Sequence, residues 1–216
     1  MQTLGLDPSL TNFGWAVVDL DAVGLARVVG RGRFATPASA VFIDRYTTMQ
    51  EELRALLRRI PGVRVGIEYP VFGEMWSEGM YGLFLMTMQV MRQEKRDVVL
   101  FTPMQAKAQA RHSLVVLGKR PPKWKMDKPD MVEAAKVDTG GKGSWNHNEA
   151  DAYWVAHTAA RFWSLFDGSL EVADLTPPEQ KHFTLIHTFT KGPRAGMTVK
   201  RGIVHREDSR FFLWAD

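Results

Sequence analysis

The sequence predicts an α/β fold: one mixed central sheet with helices on both faces, plus a β-hairpin extension at the C-terminus. Three observations carry this prediction. Short apolar runs separated by turn residues open the chain, strand and helix patterns then alternate, and beyond Asp167 two β-like runs flank a Pro/Gly turn.

Gln2 to Asp7 is an apolar run ending in a polar turn, Phe13 to Asp19 reads as a second strand, and Leu25 to Phe34 as a third, which makes an antiparallel meander. From Phe42 to Ile60 apolar residues recur at helical spacing, with Glu51, Glu52, Arg54, Arg58 and Arg59 on the wet side. "PGVRVGIEYP" gives a buried strand, Val63 to Tyr69, bounded by prolines. A Met-rich helix follows over about Met75 to Lys95, then a strand, Val98 to Thr102, and a helix from about Met104 to Leu117. "GKRPPKWKMDKPDMVEAAK" begins as a basic loop and ends as a short helix after Asp127. A glycine-rich loop, "VDTGGKGSW", leads into a helix that starts in "NHNEADAYW". "FTLIHTFTKGPRAGMTVKRGIV" supplies the hairpin.

At 216 residues the chain has room for one well-packed domain and an appendage. Seven Trp and twelve Phe exclude a disordered chain. The net charge is only +4, so local clusters of Lys and Arg say more about partners than the sum does. The lack of cysteine excludes disulfides and thiolate metal sites and fits a reducing compartment. "MQTLGLDPSL" lacks a signal-peptide pattern, and the most apolar stretch, Met80 to Met91, is too short to span a bilayer. The expectation is a soluble cytoplasmic protein with no membrane partner.

Three acids stand at element ends. Asp7 ends the first strand, Glu68 ends "VGIEYP", and Asp151 lies in the first turns of a helix beside Ala150, Ala152 and Val155. Each alone could be capped or salt-bridged, but three at corresponding ends of adjacent elements suggest convergence. Hard oxygen ligands without cysteine suit Mg²⁺ or Mn²⁺, and a pair of such ions can hydrolyse a phosphodiester.

In order along the chain, "LGLDPSLTNFGWAVVD", "VGIEYPVF" and "HNEADAYWVA" resemble the RuvC family of Holliday junction resolvases within the RNase H-like superfamily. The phage RuvC-like enzymes are the closer match. The resemblance covers about residues 1–165. It implies an RNase H-like nuclease domain at 1–167 and an extension at 168–216, packed on the domain or on a dimer partner. It further implies a homodimeric, Mg²⁺-dependent endonuclease with two ions per site, Mn²⁺ substituting, that nicks four-way and branched DNA symmetrically and leaves 5′-phosphates. A phage-encoded enzyme would work in the bacterial host cytoplasm. By position, Asp7 would bridge both metals, and Glu68 and Asp151 would each hold one. Ser9 and Thr11, in the turn after Asp7, would steady the scissile phosphate or serve as ordinary turn residues.

The family sets a fourth ligand three residues before the helical Asp. Here that position is Asn148, with His147 one residue earlier, and both can share a helix side with Asp151. Two readings of Asn148 stand: a weak native metal ligand, with His147 as general base or phosphate contact, or an Asp→Asn substitution that disarms the nuclease. Asn146 and Glu149 form an Asn-x-x-Glu capping box.

For DNA, Lys119, Arg120, Lys123, Lys125 and Lys128 form a basic segment just before the metal-site helix, a phosphate-binding loop or a solvated one. The family carries a base-stacking aromatic shortly after the strand-end Glu; the resemblance puts Phe72 there, with Tyr69 and Trp76 as alternatives, and each of the three could equally be a core residue. The Met-rich helix, apolar on nearly every side, is either simply buried or, as the resemblance implies, part of a two-fold dimer. Lys191, Arg194, Lys200, Arg201 and Arg206 make the extension basic. Other functions consistent with the acids are an RNase H-like nuclease for RNA or simpler DNA branches, or a weakened junction-binding module. An actin-like phosphotransferase lacks its second glycine-rich loop here.

Overall fold

The computed structural model describes residues 2–21, 25–69, 78–141 and 143–183 in full, and 184–188, 198–202 and 211–212 as backbone. β1 (Gln2–Asp7), β2 (Asn12–Leu20) and β3 (Ala26–Ala35) form the antiparallel meander, with Leu4 opposite Val17 and Asp7 opposite Gly14. α1 (Phe42–Arg59) returns the chain to β4 (Arg64–Glu68), parallel to β1, and α2 (Glu78–Gln93) returns it to β5 (Val98–Phe101), parallel to β4. β8 (Phe211–Phe212) adds an antiparallel edge to β5, so the sheet runs β3-β2-β1-β4-β5-β8. The expected start of the Met-rich helix at Met75 lies outside the described residues.

Parallel strands need cover on both faces, and the helices divide accordingly. Leu4, Leu6, Val65 and Ile67 pack against Met49, Leu53 and Leu57 of α1 and Leu83 and Met91 of α2. The other face is covered by α3 (Pro103–Val116), α4 (Lys128–Asp138) and α5 (His147–Phe166). α5 lies directly on the sheet because small residues meet there. A Cβ on Gly5 would come within 2.2 Å of the Ala152 carbonyl oxygen, and one on Gly66 within 2.5 Å of the Ala159 side chain.

The extension contains the expected hairpin, β6 (Thr184–Thr188) antiparallel to β7 (Thr198–Gly202). Before it comes a helix the sequence pattern did not announce, α6 (Pro177–Phe183), preceded by a 3-10 turn at Val172–Asp174. "PPEQKHF" opens on two prolines, and a proline is tolerated in a first helical turn, where its missing N–H has no partner to lose. Tertiary anchors decide the matter. Leu175 and Phe183 are buried in the α5 core, and Arg161 of α5 pairs with Glu179 of α6 at 2.8 Å, both side chains almost wholly out of solvent. Among the described residues no helix is long and apolar enough to cross a membrane.

Candidate active site

Gly5 and Gly66 are register partners, as are Leu6 and Ile67, so the next rung of the two parallel strands carries Asp7 and Glu68. Side chains alternate along a strand, so each acid shares the side of its glycine, the side covered by α5. α5 crosses Gly5 at Ala152, which brings the neighbouring Asp151 to the same end of the sheet. The short motifs "LGLD" and "VGIE" thus do two things: the glycine admits the helix, and the acid two residues later meets its first turns.

The three carboxylates act on one another. Burial, then the charges of Glu68 and Asp151, push Asp7 well above the ordinary carboxylate range. Burial and Asp151 push Glu68 up to about 7. Burial also raises Asp151, against the opposing pull of Lys107, His147 and Lys128. Lys107 lowers all three acids and Lys128 lowers Asp7 and Asp151, so α3 and α4 supply the counter-charge. Lys107 carried no mark in the sequence. Its signal is topological: Glu68 is the register partner of Phe101, so the helix that follows β5 starts beside the acids.

Among the described residues no group of three His, Cys, Asp or Glu side chains is drawn tightly enough to hold a metal ion as it stands. Charge repulsion reaches much further than a metal–oxygen bond of about 2 Å, so the two observations are compatible. The donor chemistry fits a hard divalent cation. Three oxygen-bearing side chains without any sulfur donor lie close enough to raise one another's pKa, and the two lysines counter that rise only in part.

At the start of α5 the capping box is present as expected: Asn146 accepts from the Glu149 amide at 2.9 Å, and Glu149 accepts from the Asn146 amide at 3.5 Å. His147 is exposed at the first helical position, and its charge bears on Asp151. Asn148 is buried, and its amide nitrogen donates to the Asn12 carbonyl oxygen at the head of β2. Ser9 and Thr11 lie half-buried in the turn after Asp7; the Thr11 carbonyl accepts from the Thr36 amide at 3.2 Å.

The basic segment separates into two sets. Arg120 is committed to the fold, donating to Asp130 at 2.9 Å and Glu133 at 2.6 Å, and Trp124 donates to the same Asp130 at 3.1 Å. Burial pushes Asp130 up, but bonds from Asp127, Trp124 and Arg120 outweigh it and hold the acid below its ordinary value. Lys119, Lys123, Lys125 and Lys128 are exposed. Tyr69 packs edge-on against Phe84 at 5.3 Å between ring centres. Phe72 and Trp76 lie outside the described residues, as do Lys191, Arg194 and Arg206.

No model of a known protein family matches the chain. The chain is 34% identical over 74 residues to the crossover junction endodeoxyribonuclease RuvC of Chloroflexus aggregans, covering 34% of this chain and 44% of that protein. To the RuvC of Frankia alni it is 33% identical over 115 residues, 50% of this chain and 56% of that protein. The chain therefore spans about half the length of the curated relatives it matches. Its fold superposes on Thermus thermophilus RuvC in complex with a Holliday junction substrate with a TM-score of 0.62, over 76% of this chain and 96% of that one, at 20% identity. With its RNase H-like arrangement of a mixed sheet between two helical layers, the chain is RuvC-like in fold over three quarters of its length and in sequence over a third to a half of it.

Proposed function

We propose that this chain is a divalent-metal-dependent endonuclease that resolves four-way and other branched DNA junctions. The observation that carries the reading is the convergence of Asp7, Glu68 and Asp151, buried enough to raise one another's pKa, with Lys107 and Lys128 facing them. The RuvC relatives supply the substrate class.

Asp7, Glu68 and Asp151 would hold two Mg²⁺ ions, or Mn²⁺ in their stead; once bound, the metal supplies activation of the attacking water and charge stabilisation of the leaving oxygen. Lys107 and Lys128 balance the carboxylates and can meet oxygens of the scissile phosphate. His147, exposed beside Asp151, can accept the proton of the attacking water through an imidazole nitrogen. Ser9 and Thr11 hydroxyls can donate to the phosphate, and Phe72 can stack on opened bases. Lys119, Lys123 and Lys125 are exposed and grip the junction arms.

Paired symmetric nicks leaving 5′-phosphates require two such sites, hence a homodimer. Tyr81 and Leu85 of α2 and Phe42 and Ile43 of α1 are exposed apolar side chains that a second copy could cover. Residues 1–167 form the nuclease domain and 168–216 an extension of it, in a cytoplasmic enzyme.

Nicking of a synthetic four-way junction, with and without Mg²⁺, against a linear duplex and an RNA–DNA hybrid tests the proposal. Mg²⁺-dependent, paired cuts in the junction alone are expected. Equal cutting of all three substrates overturns junction selectivity and favours a general RNase H-like nuclease. Binding of the junction without any cutting favours a junction-binding module.

A further inference from the structure

The first turn of α5 is fastened to the meander at two points that the capping box does not account for. On one side Arg31 of β3 donates to the Glu149 carboxylate and, at 2.8 Å, to the Ser144 carbonyl, while its guanidinium lies 3.9 Å over the Trp145 ring. It thereby ties down the residues that lead into the helix and the N3 residue of its cap together. On the other side Asn148 donates its amide hydrogen to the Asn12 carbonyl. Beneath it Gly14 has no room for a side chain: a Cβ there would stand 2.2 Å from the Asn148 carbonyl oxygen. Asn12 is itself held, its side-chain oxygen accepting from Arg33 at 2.9 Å. Gly14 is the register partner of Asp7, so this fastening is made one strand away from the first acid of the site.

We infer that Arg31 and Asn148 are positioning residues that clamp the N-terminus of α5, and that Asn148 is a strut requiring an amide rather than a fourth metal ligand. The chemistry of position 148 decides between the two roles. A strut must donate to a carbonyl oxygen, which an amide nitrogen does and an ionised carboxylate cannot. A carboxylate at 148 sets an acceptor against the Asn12 carbonyl, itself an acceptor, and so loses the bond that the amide makes. Asp151 stands one turn further along the same helix, so its separation from Asp7 depends on how this first turn is seated. The inference rests on the proposed metal site and is separable from it.

The test is Mn²⁺ binding by the full chain, followed by electron paramagnetic resonance of the free ion at a temperature well below unfolding, with metal-free melting measured alongside. Arg31→Met and Asn148→Ala are each expected to raise the half-saturating Mn²⁺ concentration about 10-fold, as removal of groups that orient metal ligands does. Arg31→Lys, which keeps the charge without the fork or the stack, should recover little of it. Asn148→Asp should bind Mn²⁺ no more tightly than the wild type. Should Arg31→Met fail to fold, Glu149→Gln serves in its place: it keeps an acceptor for the capping box, removes the charge that Arg31 holds, and should weaken Mn²⁺ in the same direction. A purely structural clamp would lower the metal-free melting temperature and leave Mn²⁺ affinity within about twofold, which overturns the inference. Tighter Mn²⁺ binding by Asn148→Asp, with nicking raised, also overturns it and makes position 148 a ligand site. A wild type that binds no Mn²⁺ overturns the metal-dependent function and the clamp with it.

Discussion

Gly5 of β1 and Gly66 of β4 are direct register partners, and each stands two residues before a carboxylate of the candidate site. The pair forms a bare floor on which the Ala152, Ala156 and Ala159 turns of α5 rest. The distance between sheet and helix is set here, and so is the height of Asp151 over Asp7 and Glu68.

Replacing Gly5 by Ala drives a methyl group against α5 backbone atoms, which have no rotamer to move aside, whereas Gly66→Ala meets the Ala159 side chain. Overpacking of this kind costs about 1–3 kcal/mol, and occasionally more where backbone must shift. Chemical denaturation should give Gly5→Ala the larger loss of the two. Both should lose Mg²⁺-dependent nicking out of proportion to stability, because lifting α5 separates Asp151 from the other acids.

The acid cluster carries a pH signature with a definite sign. A carboxyl whose folded pKa is raised destabilises the folded state as pH climbs from the ordinary carboxylate value toward the folded one, which for Glu68 is about 7. Without divalent cation, the melting temperature should therefore fall between about pH 5 and pH 7.5. Mg²⁺ should restore it and release protons on binding. Asp7→Asn removes the most strongly raised acid. It should stabilise the metal-free protein at about pH 7.5 by on the order of 1–3 kcal/mol and abolish nicking. Calorimetry at the two pH values in EDTA and in Mg²⁺ checks both signs; a metal-free melting temperature that rises with pH would sink the account.

The sheet and the three acids were legible because each leaves a local signature: an apolar run for a strand, a carboxylate ending that run at Asp7 and Glu68, and at Asp151 an acid among small apolar residues in the first turns of a helix. The capping box at Asn146 and Glu149 was legible for the same reason, being formed within one helical turn. What escaped is what depends on distant pairing. Lys107 faces the acids only because α3 starts at the end of β5. α6 is a helix because Glu179 and Phe183 have partners on α5 that a seven-residue pattern rich in proline cannot announce. Arg120 looked like its lysine neighbours, and only the placement of Asp130 and Glu133 tells them apart.

That difference can be measured. Lys119, Lys123 and Lys125 are exposed, so changing any one of them to Ala should leave thermal stability unchanged. Each change should weaken junction binding and reduce the dependence of log affinity on log salt by about 0.9 for every phosphate no longer neutralised. Arg120→Ala should do the reverse first: it leaves the buried Asp130 without its guanidinium partner and should lower the melting temperature before any effect on the salt slope. Filter binding over a salt series, paired with melting curves, separates the two classes. An Arg120→Ala variant that melts like the wild type while losing salt slope would return Arg120 to the DNA-binding set.

The Arg161–Glu179 pair makes the opposite prediction to the acid cluster. Burial pushes Glu179 up, but the hydrogen bonds and charge of Arg161 overcome it and hold the carboxyl below its ordinary value. A lowered folded pKa contributes stability above the unfolded value, and that stability is lost as pH falls through the folded value. The acid limb of the stability profile should therefore depend on Glu179, and the neutral limb on Asp7 and Glu68. Glu179→Gln leaves Arg161 buried without its counter-charge and should cost about 3–5 kcal/mol near neutral pH, with a shallower loss of stability in acid. The double variant Arg161→Met with Glu179→Leu, which removes both charges and keeps apolar volume, should recover much of that cost. If α6 is held by this pair, the single variant should also expose the α5 face to hydrogen exchange at Phe162 and Trp163, which pack beside Phe183 in the same core, while the double variant should protect it again.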